Sequence, residues 1–300
     1  MSDRRDHGVA AVVSVFNADE SLISLCESLV RQCSRVVVVD DASTRDLSDL
    51  LDRCSALGCV VVRQQVNSGI AAALNAGVRA AGDFDWLLTL DQDSHVDDDY
   101  ATRLVDAAVA AATAGIEVGM VAPETIRGLP SRVVRRQDGI VFGGEPIQSG
   151  LVIPRSSLDR LGPFLEDLFI DSVDTEYYLR AKVAGLPVVI APGVSLGHSL
   201  GDVFYPTLFG RRLRVGGTDI GLVRSAPFRY YYIARNHIEM LRLYGRSEPG
   251  WAIRETLLDA RHMLIVLLVM PRRRRHVKML IAGWRDGFKG VGGRIPPGLD

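Results

Sequence analysis

The strongest constraint on the fold is an alternation. Across the first ~120 residues, short β-branched runs alternate with stretches of helical periodicity, the pattern of a parallel sheet assembled from βαβ units. The runs are VAAVVSVF (9–16), RVVVVD (35–40), CVVV (59–62) and DWLLTLD (85–91). Between them, Leu22, Leu25, Cys26 and Leu29, and then Leu47, Leu50, Leu51 and Cys54, recur at helical spacing and predict helices packed on the sheet. GIAAALNAGVRAAG is alanine-rich and bounded by glycines, which suits a helix lying close against strands or a ligand. A fourth helix is predicted from about Asp97 to Ala114, and EVGMVAP reads as a further strand.

After Pro123 the regularity gives way to GIVFGGEPIQSGLVIP, which reads as antiparallel ribbon and loops. FIDSVDTEYYLRAKVAGLPVVI then predicts a helix ending at Gly185 and a short strand. The glycine-rich stretch from about Gly197 to Ser225 reads as a mobile loop. The tail predicts two helices, RYYYIARNHIEMLRLYG and WAIRETLLDARHMLIVLLVM, followed by PRRRRHVK. With no internal repeat or low-complexity linker, the expected organisation is an α/β domain over 1–225 and a helical appendage over 226–300.

Composition narrows the functional classes. An apolar content of 47% supports a substantial core, and a net charge of −1 argues against broad nucleic-acid binding. Cys26, Cys33, Cys54 and Cys59 form no CxxC pair and have no histidine at zinc spacing, so they read as thiols of a reducing, cytosolic compartment. The N-terminus lacks the long apolar stretch of a secretory signal, and no run of ~18 apolar residues predicts a membrane span.

In an open parallel sheet, ligands sit outside the carboxyl ends of the strands. VVVVDDAS ends one strand on Asp40 and Asp41, and LLTLDQDS ends another on Asp91 and Asp93. Desolvated carboxylates there are costly unless a cation or hydrogen-bond donors compensate them. NSGIAAALNAG places Asn67, Ser68 and Gly69 at a helix N-terminus, where free backbone N–H groups suit a phosphate. A D-x-D turn offers oxygens to a hard divalent cation that bridges phosphates. Together these stretches describe a nucleotide diphosphate held through metal. FIDSVDTEYY adds Asp171, Asp174 and Glu176; Asp171 and Asp174 share one face if the helix begins near them. A phosphoacceptor receiver domain also ends a strand on paired aspartates, but it predicts a lysine late in a fifth strand and a chain about half as long.

VVSVFNADESL, VVVVDDASTRD, NSGIAAALNAG, LLTLDQDS, IDSVDTEYYLR, GHSLGD and RYYYIARN together resemble the family 2 glycosyltransferases of the GT-A fold. Within that family they are most similar to the L-rhamnosyltransferases of polysaccharide assembly. The resemblance implies a mainly parallel, Rossmann-like sheet flanked by helices. It places Phe16, Asp40, Asp41, Asn67, Gly69 and Asn75 at the donor, where many relatives carry a basic residue in place of Leu74. Asp91, Gln92, Gly150 and Arg235 complete that donor set. Asp91, Asp93 and His198 are implied to bind Mg²⁺ or Mn²⁺. Asp174 is the implied general base, and Gln148, Ser149 and Glu176 meet the acceptor, although Glu176 serves equally to hold the helix. Arg235, with Asn236, is assigned to the diphosphate or the mobile loop. Arg229, six residues earlier, points about 120° away.

The implied reaction is inverting, metal-dependent transfer of a hexose, foremost L-rhamnose from dTDP-L-rhamnose. A UDP-hexose or UDP-galactofuranose transferase, and a non-catalytic nucleotide-sugar-binding protein, are the alternatives. The acceptor is a saccharide, free or carried on a polyprenyl diphosphate. MLIVLLVMPRRRRHVKMLIAGW pairs an apolar run too short to span with four arginines, Arg272 to Arg275. It suits the anionic inner face of the plasma membrane, with the chain cytoplasmic and peripheral. Leu264, Leu267 and Leu268 could equally pack on the catalytic domain or on a second subunit of a homo-oligomer.

Overall fold

The computed structural model describes residues 8–198, 226–269 and 273–299, together with isolated two-residue strand pieces between 203 and 223. The mobile loop expected up to Ser225 therefore falls largely outside the described residues. The chain divides into two compact units. Unit 1 comprises Met1–Glu166 with Val173–Ser199, and unit 2 comprises Asp167–Ser172 with Leu200–Asp300.

Unit 1 runs β1 (Val9–Val15), α1 (Ser21–Gln32), β2 (Arg35–Asp40), α2 (Ser48–Ala56), β3 (Val60–Arg63), α3 (Ile70–Ala81), β4 (Trp86–Asp91), β5 (Ser94–His95) and α4 (Tyr100–Thr113). It continues with β6 (Met120–Ile126), β7 (Leu129–Pro130), β8 (Val133–Gln137), β9 (Ile140–Gly143), β10 (Leu151–Pro154), α5 (Arg155–Leu161), α6 (Val173–Val183) and β11 (Val188–His198). The main sheet has the order β3-β2-β1-β4-β10-β6-β11-β9-β8. β3, β2, β1 and β4 are parallel, whereas β10 enters antiparallel between β4 and β6. The glycine-spaced section after Pro123 is the antiparallel ribbon its sequence predicts, with β8 paired to β9.

Burial explains why these runs become strands. β1 is buried along almost its whole length, as a β-branched strand covered on both faces must be. The helical stripes of α1 and α2 close over the sheet, with Leu22, Leu25, Cys26, Leu29, Leu50, Leu51 and Cys54 all in one core. All four cysteines are buried free thiols, and burial pushes the Cys33 thiol up to about 12. They pack as small apolar groups.

The order β2-β1-β4 creates a switch point. The chain leaves β1 to one side of the sheet and returns at β4 on the other, so the loops beyond the carboxyl ends of β1 and β4 diverge and leave a crevice.

Unit 2 contains α7 (Arg229–Tyr244), α8 (Pro249–Val269) and α9 (Arg273–Lys289). The sequence predicts only the first two. The basic run masks the third, because its apolar stripe of Met279, Leu280 and Ala282 begins only after four arginines. α9 lies close on α7 because glycines face it. A Cβ on Gly283 would stand 2.3 Å from the Tyr231 carbonyl oxygen, and one on Gly287 would stand 2.9 Å from that of Arg235.

Gly77 is the corresponding small residue of α3, where a Cβ would meet Val12 Cγ1 of β1 at 2.2 Å. Gly77→Ala therefore overpacks the centre of the sheet and is expected to destabilise unit 1 by about 1–3 kcal/mol, lowering the melting midpoint measured by circular dichroism.

Candidate active site

The carboxyl ends of the strands in unit 1 are joined by side-chain bonds that fix the walls of the crevice. After β1, the Phe16 N–H donates to Gln92 Oε1 at 2.7 Å, and Gln92 Nε2 donates back to the Phe16 carbonyl at 3.2 Å. Gln92, the middle residue of D-Q-D, thus grips both polar groups of one peptide across the switch point. Asn17, with φ of 57°, then turns the chain. Its Oδ1 accepts the N–H groups of Thr44 (2.9 Å) and Arg45 (3.0 Å), which binds the β1 loop to the β2 loop.

The paired aspartates after β2 hold this frame. Asp40 accepts the Ser43 hydroxyl at 2.5 Å and shapes its own turn. Asp41 accepts the N–H groups of Ser68 and Gly69 through its two oxygens, each at 2.8 Å. A carboxylate of the chain itself therefore sits at the N-terminus of α3, where the helix dipole favours negative charge. The sequence reading left those N–H groups free for a phosphate; Asp41 takes two of them. Its grip also holds Asn67, one residue earlier, at the crevice edge.

A second set of bonds ties the D-x-D segment to the residues before β10. The Asp91 N–H donates to Ser149 Oγ at 3.0 Å, and the hydroxyls of Ser149 and Ser94 lie 2.8 Å apart. Thr89 donates its hydroxyl to the Gln148 carbonyl at 2.6 Å, and the Gly150 N–H donates to the Thr89 carbonyl at 2.7 Å. The Tyr100 hydroxyl closes the turn by donating to the Gly150 carbonyl at 2.8 Å. Gly150 adopts φ of +86°, and a Cβ there would stand 2.4 Å from that hydroxyl, so no other residue fits. Burial pushes the Tyr100 hydroxyl well above the usual tyrosine range, keeping it a donor. His198, the last residue of β11, pairs in antiparallel register with Ser94. Its backbone thus lies beside D-x-D, while its side chain is outside the described residues.

Asp174 stands in the first turn of α6, half-buried. It accepts the Thr175 N–H at 2.9 Å, and Thr175 donates its hydroxyl to Glu145 at 2.6 Å. Glu145 lies three residues before Gln148, so the start of α6 is tied to the loop that also holds Asp91. The helix begins at Val173, which removes the shared face expected of Asp171 and Asp174. Asp171 instead adopts φ of 64° outside the helix and pairs with Arg229.

Three other expected site residues make contacts within the fold. Asn75 is buried. Its amide donates to the Phe164 carbonyl (2.9 Å) and to Glu166 (2.8 Å) and accepts the Phe164 N–H (3.0 Å), so both ends are engaged by the chain itself. Glu176 is buried and pairs with Arg180 one turn on, a contact that holds the helix. Arg235 is only 2% exposed within unit 2, where its guanidinium donates to the carbonyls of Asp167, Leu168 and Gly293. That burial is inconsistent with the direct diphosphate contact expected of it.

Arg235 and Asn236 together hold an unusual segment. Phe169, Asp171 and Ser172 all have φ between 63° and 64°, a left-handed conformation that costs non-glycine residues of order 1 kcal/mol each. Asn236 Nδ2 donates to the carbonyls of Leu168 (3.0 Å), Ile170 (2.9 Å) and Asp171 (2.8 Å), and Phe169 stacks on Tyr232. Sequence reading missed this role, as it missed Asn17, Thr89, Tyr100 and Glu145. The adjacency of R-N in an otherwise aromatic helix was the available signal.

Three amides at the sheet edge have an atom shielded from solvent with no hydrogen-bond partner: Gln64 Nε2, Asn67 Oδ1 and Gln148 Nε2. Gln64 follows β3 and donates its N–H to the Asp40 carbonyl. A polar ligand with both donors and acceptors would satisfy such groups, whose burial is otherwise unfavourable. Asp91 and Asp93 offer two hard carboxylates at the same edge. Among the described residues, no three His, Cys, Asp or Glu side chains converge to hold a metal on their own. This donor set fits a cation completed by ligand phosphates and water, the usual manner of Mg²⁺.

Residues 10–130 match the model for glycosyl transferase family 2. The chain is a glycosyltransferase, and residues 10–130 are the part that matches this family. It is also 26% identical to the dTDP-rhamnosyl transferase RfbF of Shigella flexneri over 299 residues, covering 95% of this chain and 97% of that protein. Among solved structures, TarS 1–349 of S. aureus in complex with UDP has the same fold, with a TM-score of 0.55 at 14% identity over 94% of this chain and 72% of its own. GalNAc-T7, solved with UDP, GalNAc and Mn²⁺, superposes with a TM-score of 0.56 at 16% identity. The match covers 76% of this glycosyltransferase but only 48% of GalNAc-T7, so the chain spans about half the length of that structure. The fold is GT-A.

Asn236→Ala would leave three carbonyls of the left-handed segment without their shared donor. It is expected to lower stability by about 2–4 kcal/mol, read as an earlier urea midpoint with unchanged slope.

Proposed function

We propose that this enzyme transfers L-rhamnose from dTDP-β-L-rhamnose to a hydroxyl of a saccharide acceptor, with inversion at C1. The observation that carries the reading is the end-to-end likeness to a dTDP-rhamnosyl transferase, which leaves neither chain with a large unmatched part. The crevice supports it: the shielded atoms of Gln64, Asn67 and Gln148 are suited to the base, ribose and sugar hydroxyls of a nucleotide sugar.

Each wall has its own task. Asp40, Asp41 and Asn17 hold the loops around the nucleoside, and Phe16, gripped by Gln92, presents an exposed ring at the same rim. Gln148 and Gly150 border the sugar. Asp174 removes the proton of the attacking hydroxyl as the bond from C1 to the diphosphate breaks on the opposite side. Thr175, bonded to both Asp174 and Glu145, keeps that carboxylate oriented. Mg²⁺ or Mn²⁺ would be held by Asp91 and Asp93, with His198 as third ligand by family resemblance; bound there, it neutralises charge developing on the departing diphosphate. The acceptor is a saccharide of cell-surface polysaccharide synthesis, free or on a polyprenyl diphosphate, and the chain works at the cytoplasmic side of the membrane.

Asp174→Asn removes the base while keeping its shape. Turnover is expected to fall by about 10²–10⁴-fold with little change in donor KM, followed as dTDP release in the presence of acceptor. Unchanged turnover would remove Asp174 from the chemistry. A panel of dTDP-rhamnose, UDP-hexoses and UDP-galactofuranose tests the donor; the reading expects kcat/KM to favour dTDP-rhamnose, and preference for a UDP-sugar would overturn it.

A further inference from the structure

The outer face of α9 has an unusual composition. Ile281, Trp284 and Phe288 are 58%, 39% and 72% exposed and follow one another at helical spacing, forming a stripe of large apolar side chains toward solvent. Arg274, Lys278, Arg285 and Lys289 are exposed beside it, within about 80° of Ile281 around the helix axis. The one acidic residue of α9, Asp286, is buried on the opposite side, where it accepts the Tyr231 hydroxyl and pairs with Arg285. Gly283 and Gly287 seat the other face against the α7 backbone, so the helix cannot rotate to bury the stripe.

From this geometry we infer that α9 is a membrane-interface helix whose partner is the surface of an anionic lipid bilayer. The apolar stripe enters the boundary between headgroups and acyl chains, with Trp284 at interfacial depth, while Arg274, Lys278 and Lys289 meet lipid phosphates. Charge selects this occupant over a second copy of the chain. In a two-fold dimer the same patch meets itself, which would bring these cations against their own counterparts. No helix among the described residues is long and apolar enough to cross a membrane, so attachment is to the surface. α8 repeats the pattern more weakly, with Ile253, Leu257 and Leu264 exposed and Arg261 beside them. The sequence stretch MLIVLLVMPRRRRHVKMLIAGW, residues 263–284, already includes Ile281 and Trp284. Arg272 and the side chains of Leu267 and Leu268 lie outside the described residues.

The inference stands apart from the donor site, since it is tested without nucleotide and its failure leaves the transfer chemistry untouched. The full-length chain is sedimented with vesicles of phosphatidylcholine alone or with about one-third phosphatidylglycerol. Partitioning is expected to be at least about 10-fold stronger on the anionic vesicles and to weaken in high salt. Two variants separate the contributions. Ile281→Ser with Phe288→Ser should lower partitioning at every salt concentration. Arg274→Gln with Lys278→Gln and Lys289→Gln should abolish the preference, bringing partitioning on the anionic vesicles down to that on phosphatidylcholine alone. Both should melt like the parent, because the changed side chains are exposed. Equal binding to the two vesicle types, or full binding by both variants, overturns the inference. So does a parent that ignores vesicles and sediments as a dimer which Phe288→Ser dissociates.

Discussion

The active-site crevice depends on one constraint: the chain must bridge the place where β1 and β4 part. Parallel neighbours whose following segments diverge leave unpaired backbone groups at their carboxyl ends, and these must be satisfied without filling the gap. Gln92 does so for Phe16 by accepting its N–H and donating to its carbonyl from the neighbouring strand. Ser149 does so for Asp91 from the antiparallel side. The crevice stays open because side chains close these hydrogen bonds, and the D-x-D segment is held from both flanks before any ligand arrives. Preorganisation of this kind reduces the ordering cost of binding.

The same constraint divides the work among the acids. Asp40 and Asp41 face backbone N–H groups and a hydroxyl, and they act as rigid parts of the frame. Asp91 ends β4 at the open edge and Asp93 follows in the turn, beside a serine network that fixes the backbone of Asp91. Asp174 comes from a separate helix and is linked to that edge through Thr175 and Glu145. On the proposed reading, one residue type builds the wall, binds the ion and takes the proton, according to what each side chain faces.

The sheet was legible in the sequence because burial on both faces writes nearly continuous β-branched runs; β2, predicted over 35–40, forms there. Strand ends and acids were legible for the same reason, since punctuation by D-D and D-x-D is abrupt. What escaped was the use of each polar group. Asn75 looks the same in sequence whether its amide meets a ligand or the Phe164 backbone, and those two positions are 89 residues apart. Arg235 reads as an anion ligand by type, yet in the fold it meets carbonyls, which a guanidinium with five donors serves equally well. α9 was hidden because its first turn is entirely basic, and only its contact face, glycine-rich and apolar, identifies it.

The central claim is that Asp91 and Asp93 make the crevice a metal-assisted nucleoside-diphosphate site. The most direct measurement is titration of Mn²⁺ followed by the paramagnetic signal of the free ion, with and without dTDP, on the parent and on Asp93→Asn. The account predicts about one ion held per chain only when dTDP is present, with that uptake lost in Asp93→Asn while the variant stays folded. Uptake by Asp93→Asn equal to the parent's, or dTDP binding by the parent that Mn²⁺ does not strengthen, would contradict it.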